Sequence, residues 1–202
     1  MIRPVQPQDV KYITDIYNEY ILNSTYTFET EPISEDEMRL RIAEIFPHFP
    51  FFVCETDHKV VGYCYAHPWK QRTAYRYTLE TTVYLSARHR GKGLGKLLMQ
   101  VLIEECRQHN YHTLIACITA CNTASCSLHS KLGFTQVSHF RKGGRNAVRR
   151  MAGCSRLWTD IEIKKTVFWS SLVTYCPYPF TRGRYRGDEK CDDRWRETIG
   201  HH

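Results

Sequence analysis

At 202 residues the chain can fill one good core, and two full domains would not fit comfortably. No apolar run approaches the ~20 residues of a membrane span, and the amino terminus lacks the apolar stretch of a signal peptide. Basic and acidic side chains balance over residues 1–140, so the whole net charge of +7 falls in residues 141–202, a segment whose phosphate-binding reading competes with that of a merely solvated tail.

The elements alternate in an α/β manner. Asp9 is placed to cap a helix whose apolar positions Val10, Ile13, Ile16, Tyr17, Tyr20 and Ile21 share one face. Ser34 and Glu37 form a capping box ahead of Met38, Ile42 and Ile45. Residues 51–55 and 59–66 read as strands joined by a tight turn at Thr56, Asp57 and His58. A third strand runs from Tyr77 to Leu85, followed by a glycine-rich turn and a helix striped with Leu94, Leu97, Leu98, Val101 and Leu102. A strand over 113–118, a helix over 123–131 stopped at Gly133 and a strand over 134–140 complete the pattern. Nine cysteines include no Cys-x-x-Cys pair, so no metal is expected. Cys54, Cys64 and Cys117 lie within apolar strands as small hydrophobes, which predicts a reducing, cytoplasmic setting.

The turn at Arg90-Gly91-Lys92-Gly93-Leu94-Gly95 lies between a strand and a helix amino terminus, where main-chain N–H groups and the positive end of the dipole favour an anion. It is not a Walker loop, which needs Gly-x-x-x-x-Gly-Lys followed by Ser or Thr. Its glycines, at every second position and after about eighty residues, also miss the Gly-x-Gly-x-x-Gly of a first βαβ unit. What remains is Arg-x-x-Gly-x-Gly, met by Arg90, Gly93 and Gly95, with an overlapping match at Arg88, Gly91 and Gly93. About thirty residues on stands Asn122-x-x-Ser125-x-x-Leu128-His129-x-x-Leu132-Gly133-Phe134, in which Asn122 is a natural N-cap and Ser125 and His129 share a helix face.

Together these two motifs resemble the GNAT acetyltransferases. Residues 24–32, 68–75 and 78–85 narrow the likeness to the phosphinothricin and methionine sulfoximine N-acetyltransferase branch, over Ile2 to about Phe140. The resemblance implies an α/β GNAT fold: a central twisted mixed sheet flanked by helices, with splayed strands holding acetyl-CoA. It implies that Arg90, Gly91, Lys92, Gly93, Leu94, Gly95 and Lys96 cradle the pyrophosphate. Val83, Tyr84 and Leu85 would meet the pantetheine arm and thioester along the strand, the Val83 N–H serving the oxyanion. Asn122 and Ser125 would flank the same arm on the following helix. Glu80 is the expected general base, since a carboxylate in a partly apolar cleft can accept a proton near neutrality. His129 stands where the family commonly has a tyrosine, and its role as proton donor to sulfur or second base stays open. Arg72 and Lys70 suit a carboxylate or phosphinate, with Phe28 and Tyr75 as pocket walls.

The expected function is direct acetyl transfer to the amino group of a small amino-acid-like substrate. Neither nucleic acid nor membrane is expected as partner, and a homodimer is. Another amine, such as a protein amino terminus or polyamine, is the alternative, as is a weakened acyl-CoA-binding protein. An acyl-cysteine route through Cys121 or Cys126 is disfavoured. Residues 1–170 are expected to form the acetyltransferase domain and 171–202 an irregular basic tail. The branch's usual segment after Phe140 is replaced by Gly143-Gly144-Arg145-Asn146-Ala147-Val148-Arg149-Arg150, with Trp158-Thr159-Asp160 as a displaced remnant of the closing strand. A shifted reading frame or unspliced sequence would produce such a tail.

Overall fold

The structure is a computed structural model that describes residues 1–27, 29–146 and 151–159. Phe28, Asp160 and the expected tail at 171–202 lie outside the described residues. Among the described residues, seven strands form one sheet in the order β1-β2-β3-β4-β5-β7-β6. They are β1 (Ile2–Pro4), β2 (Phe51–Thr56), β3 (Lys59–Pro68), β4 (Thr78–Leu85), β5 (Thr113–Thr119), β6 (Thr135–Asn146) and β7 (Met151–Thr159). All pairings are antiparallel except β4 with β5. Four helices cover the sheet: α1 (Val10–Asn23), α2 (Glu35–Ile45), α3 (Leu94–Gln108) and α4 (Thr123–Lys131). No helix among the described residues is long and apolar enough to cross a membrane.

Of the predicted capping box one half forms: the Glu37 N–H donates to Ser34 Oγ at 3.1 Å, while the Glu37 carboxylate pairs with Arg41 one turn on. The predicted cap at Asp9 does not, because that carboxylate has a stronger partner. Arg3 reaches it with both terminal nitrogens at 2.7 and 2.9 Å, the Gln6 N–H donates to it at 2.8 Å, and Asp9 is buried. A 3-10 turn over Pro7–Asp9 then leads into α1 without a side-chain cap.

The two faces of the sheet pack different side chains. Against α3 the core is largely aliphatic, with Leu79, Leu98, Met99, Leu102, Leu114, Ala116 and Ile118 buried. Against α1 and α2, aliphatic residues such as Ile13, Ile16, Met38, Ile42 and Val53 pack with an aromatic set in which Tyr20, Phe51 and Tyr63 are buried and Tyr17, Tyr65 and Tyr84 lie around them. The strand alternation sends Leu79, Thr81, Val83 and Leu85 to one face and Glu80, Thr82 and Tyr84 to the other.

Beyond Phe140 the expected departure does not end the sheet. β6 continues to Asn146, and β7, which contains Trp158, inserts between β5 and β6. In the register, Trp158 pairs with Ala116 on one side and with Gln136 on the other, so β7 links β6 to the sheet beside β5.

Candidate active site

β4 and β5 pair only at Thr78↔Thr113, Leu79↔Leu114 and Glu80↔Ile115. Beyond Glu80 the strands part, and each loses its neighbour on the facing edge. The direction of the freed groups follows from the far end of β4. The Leu85 N–H donates to Tyr20 Oη at 3.3 Å, and the Tyr20 hydroxyl donates to the Leu85 carbonyl at 2.9 Å, so Leu85 turns its main chain away from β3. Along a strand that direction alternates, so Val83 aims its N–H into the same gap.

Two cavities occupy the gap and share Tyr20, Tyr26, Val83, Asn122 and Ser125 as walls. The first, about 230 Å³, is lined by Glu80, Thr82, Tyr84, Cys117, Thr119 and His129 among others. The second, about 420 Å³, is lined by Leu85, Arg90, Gly91, Gly93, Gly95, Lys96, Leu128 and Lys131 among others. The glycine turn and the titratable pair Glu80 and His129 thus belong to one cleft, at opposite ends.

The glycine turn is shaped by backbone sign. Gly91 and Gly93 sit at φ +76° and +81°, and Gly93 is the N-cap of α3. A Cβ on Gly95 would lie 3.3 Å from Leu85 Cδ1 and 3.4 Å from Leu128 Cδ2, so its bareness lets α3 close against β4 and α4. Arg90, Lys96 and Lys131 bring positive charge to this end. Arg90 Nε donates to the Leu85 carbonyl at 3.4 Å, its guanidinium lies 4.5 Å from the Tyr20 ring centroid, and Glu19 is 3.6 Å away. Of the predicted cradle, Lys92 and Leu94 do not line the cavity; Lys92 is exposed and Leu94 packs on the aliphatic core.

On α4, Asn122 caps the helix by accepting the Ser125 N–H at 3.1 Å. His129 is 3% exposed and edge-on to Phe134 at 5.0 Å. Its Nδ1 lies 2.9 Å from the Ser125 carbonyl, which can only accept, so Nδ1 carries the proton and Nε2 keeps its lone pair. Burial lowers its pKa from 6.5, favouring the neutral ring.

Glu80 is half-buried on β4, and His67 on β3 is its cross-strand partner. Desolvation, reinforced by the nearby Glu80 charge, pushes the Cys117 thiol up to about 12. That thiol is no nucleophile at neutral pH.

Of the predicted acceptor-binding residues, Lys70, Arg72 and Tyr75 lie outside the first cavity, and Phe28 is outside the described residues. Lys70 Nζ sits 5.8 Å from the Trp69 ring centroid and 5.6 Å from that of Tyr75, on the loop between β3 and β4. Arg72 is exposed at the start of the 3-10 turn Thr73–Tyr75, and none of the three lines the first cavity. Conversely, Tyr20, Tyr26, Thr27, Thr82, Cys117 and Thr119 line it without having been singled out in the sequence. For Thr82, Cys117 and Thr119 the signal is the alternation of β4 and β5, readable only once the strands are known to splay; Tyr20, at the end of α1, and Tyr26 and Thr27 just beyond it reach the cavity by tertiary packing.

Comparison with known proteins agrees with this geometry. Residues 13–134 match the family model described as "Acetyltransferase (GNAT) family". A phosphinothricin N-acetyltransferase of Streptomyces viridochromogenes is 37% identical over 143 residues, covering 71% of this chain and 78% of that relative. An L-methionine sulfoximine/L-methionine sulfone acetyltransferase of Salmonella typhimurium is 33% identical over 144 residues, covering 71% and 84%. The crystal structure of a phosphinothricin acetyltransferase from Sinorhizobium meliloti in complex with acetyl-CoA superposes with a TM-score of 0.76 at 34% identity, over 79% of this chain and 86% of that one. The family match and the similarity to these relatives show that the chain belongs to the GNAT family of acetyltransferases.

Proposed function

We propose that the chain transfers the acetyl group of acetyl-CoA to the amino group of a small amino-acid-like substrate of the phosphinothricin and methionine sulfoximine type. The observation that carries this reading is the single cleft joining the glycine turn to Glu80, Val83 and His129 through the break in pairing after Glu80 and Ile115. The relatives named above act, by their names, on substrates of that type.

The residues fit the donor. Main-chain N–H groups of the glycine turn and the amino terminus of α3, with Arg90, Lys96 and Lys131 alongside, suit a pyrophosphate. The unpaired edge of β4 suits the amides of the pantetheine arm, and Asn122 and Ser125 wall it from α4. Bound there, the thioester supplies an electrophilic carbonyl. Glu80 takes a proton from the substrate ammonium, leaving an amine that can attack that carbon. The Val83 N–H stabilises the charge that develops on the carbonyl oxygen. His129, neutral and holding its Nδ1 proton on the Ser125 carbonyl, offers Nε2 as an acceptor. That tautomer favours the base role over proton donation to sulfur.

Thiol release from acetyl-CoA, measured with phosphinothricin, L-methionine sulfoximine, spermidine and a peptide amino terminus in parallel, tests the assignment. Turnover is expected with the first two at kcat/KM at least tenfold above the others. Preference for the polyamine or the peptide overturns the substrate class, and tight acetyl-CoA binding without turnover on any amine overturns the reaction.

A further inference from the structure

Glu80 is not alone on its face of the sheet. His67 stands directly opposite it in the β3–β4 ladder, Cys117 flanks it from β5, and Tyr65 lies two residues along β3. The His67 ring is oriented by its own chain: Nδ1 lies 3.2 Å from the Pro68 carbonyl. Because a carbonyl only accepts, Nδ1 carries the hydrogen of the neutral ring, and the lone pair sits on Nε2. That nitrogen faces Glu80 Oε2 at 3.9 Å. A lone pair and a carboxylate oxygen repel, so a separation longer than a hydrogen bond is expected until one of them holds a proton. The side chains are 34% and 23% exposed for His67 and Glu80, so the histidine is the more open to water.

We propose that His67 is the outlet for the proton that Glu80 removes from the substrate, a positioning and relay residue that acts on the reaction through Glu80. The inference rests on Glu80 being the general base. Acetyl transfer from a thioester to an ammonium releases one proton overall: the ammonium loses two, the departing thiolate keeps one, and the other must reach solvent. Glu80 receives the first as a carboxylic acid. Its O–H then donates to His67 Nε2, the O–H bond breaks as the N–H bond forms, and Glu80 returns to the carboxylate. The resulting imidazolium keeps Nδ1–H on the Pro68 carbonyl and gives up the Nε2 proton to water. Cys117 on β5 lies near the same carboxylate.

His67→Ala and His67→Gln test the outlet, the second keeping a polar side chain that cannot carry the proton. With L-methionine sulfoximine in a buffer lacking small proton carriers, both are expected to lower kcat about tenfold with KM for acetyl-CoA unchanged. Imidazole added to the buffer should restore His67→Ala towards the parent rate. Unchanged kcat in either variant, or a loss that imidazole does not relieve, overturns the proposal. A readout free of substrate is the ring nitrogen NMR signature of His67 in the intact protein. The proton on Nδ1 is expected, and a neutral ring carrying it on Nε2 overturns the relay. Glu80→Gln separates the two readings. If it turns over like the parent, the base assignment itself fails; if it is inactive while the His67 variants are normal, only the relay fails.

Discussion

At the glycine-turn end of the cleft the groups offered to a ligand are main-chain N–H groups and fixed cations, whereas at the Glu80 end they are titratable side chains aligned by strand register. The first end depends on backbone sign at two glycines and on the start of one helix. The second depends on three strands lying in the correct register, since Glu80 meets His67 across one ladder and Ile115, the last β5 residue to pair with β4, across the other. One end should therefore govern affinity for the donor, and the other the rate and its proton traffic.

Glu80→Gln should break the comparison most sharply. It is expected to lower kcat by about 10²- to 10³-fold while acetyl-CoA affinity, read by calorimetry, stays within twofold. Gly93→Ala should do the reverse. Nothing lies within 4 Å of the added Cβ, so the cost is that of holding a side chain at positive φ, about 1–2 kcal/mol. The KM for acetyl-CoA should rise about tenfold with kcat nearly intact, because the main chain no longer holds the turn. Gly62→Ala sharpens the divide from beneath: its Cβ would sit 2.9 Å from the Tyr84 carbonyl and against Leu85, so β4 must shift just where it splays. A loss of about 1–3 kcal/mol in urea unfolding is expected, with both kinetic parameters affected.

The smallest effect concerns His129. Burial lowers its pKa in the folded protein, so below about pH 6.5 the unfolded chain binds the extra proton first. Stability therefore declines as pH falls through that window and is recovered above it. His129→Gln should flatten this part of the curve of melting temperature against pH, and an unaltered slope would mean that another group controls it.

Much of the donor end was legible because its determinants are local in sequence. A glycine turn opening a helix, and Asn122 capping α4 through Ser125, are contained in a few consecutive residues. The same holds for Ser34 with Glu37. Asp9 misled because its partner Arg3 lies on β1, outside the helical pattern that suggested a cap. The insertion of β7 between β5 and β6 was beyond local reading, since strand order is a matter of long-range pairing. The same limit hid Cys117 and Tyr20, whose roles arise from which strand parts from which. Lys70, Arg72 and Tyr75 matched a motif, yet they gather on a loop outside the first cavity.

The hydroxyl of Tyr20 on both main-chain groups of Leu85 has a consequence for the edge of β4. A splayed strand is an unprotected edge, and such edges recruit other chains by strand addition. By closing the last donor and acceptor of β4 with one phenol, the protein carries a built-in end-stop where a foreign strand would otherwise begin to zip. Any extended segment that pairs with Leu85 must therefore displace the Tyr20 hydroxyl, exchanging one partner for another rather than adding one.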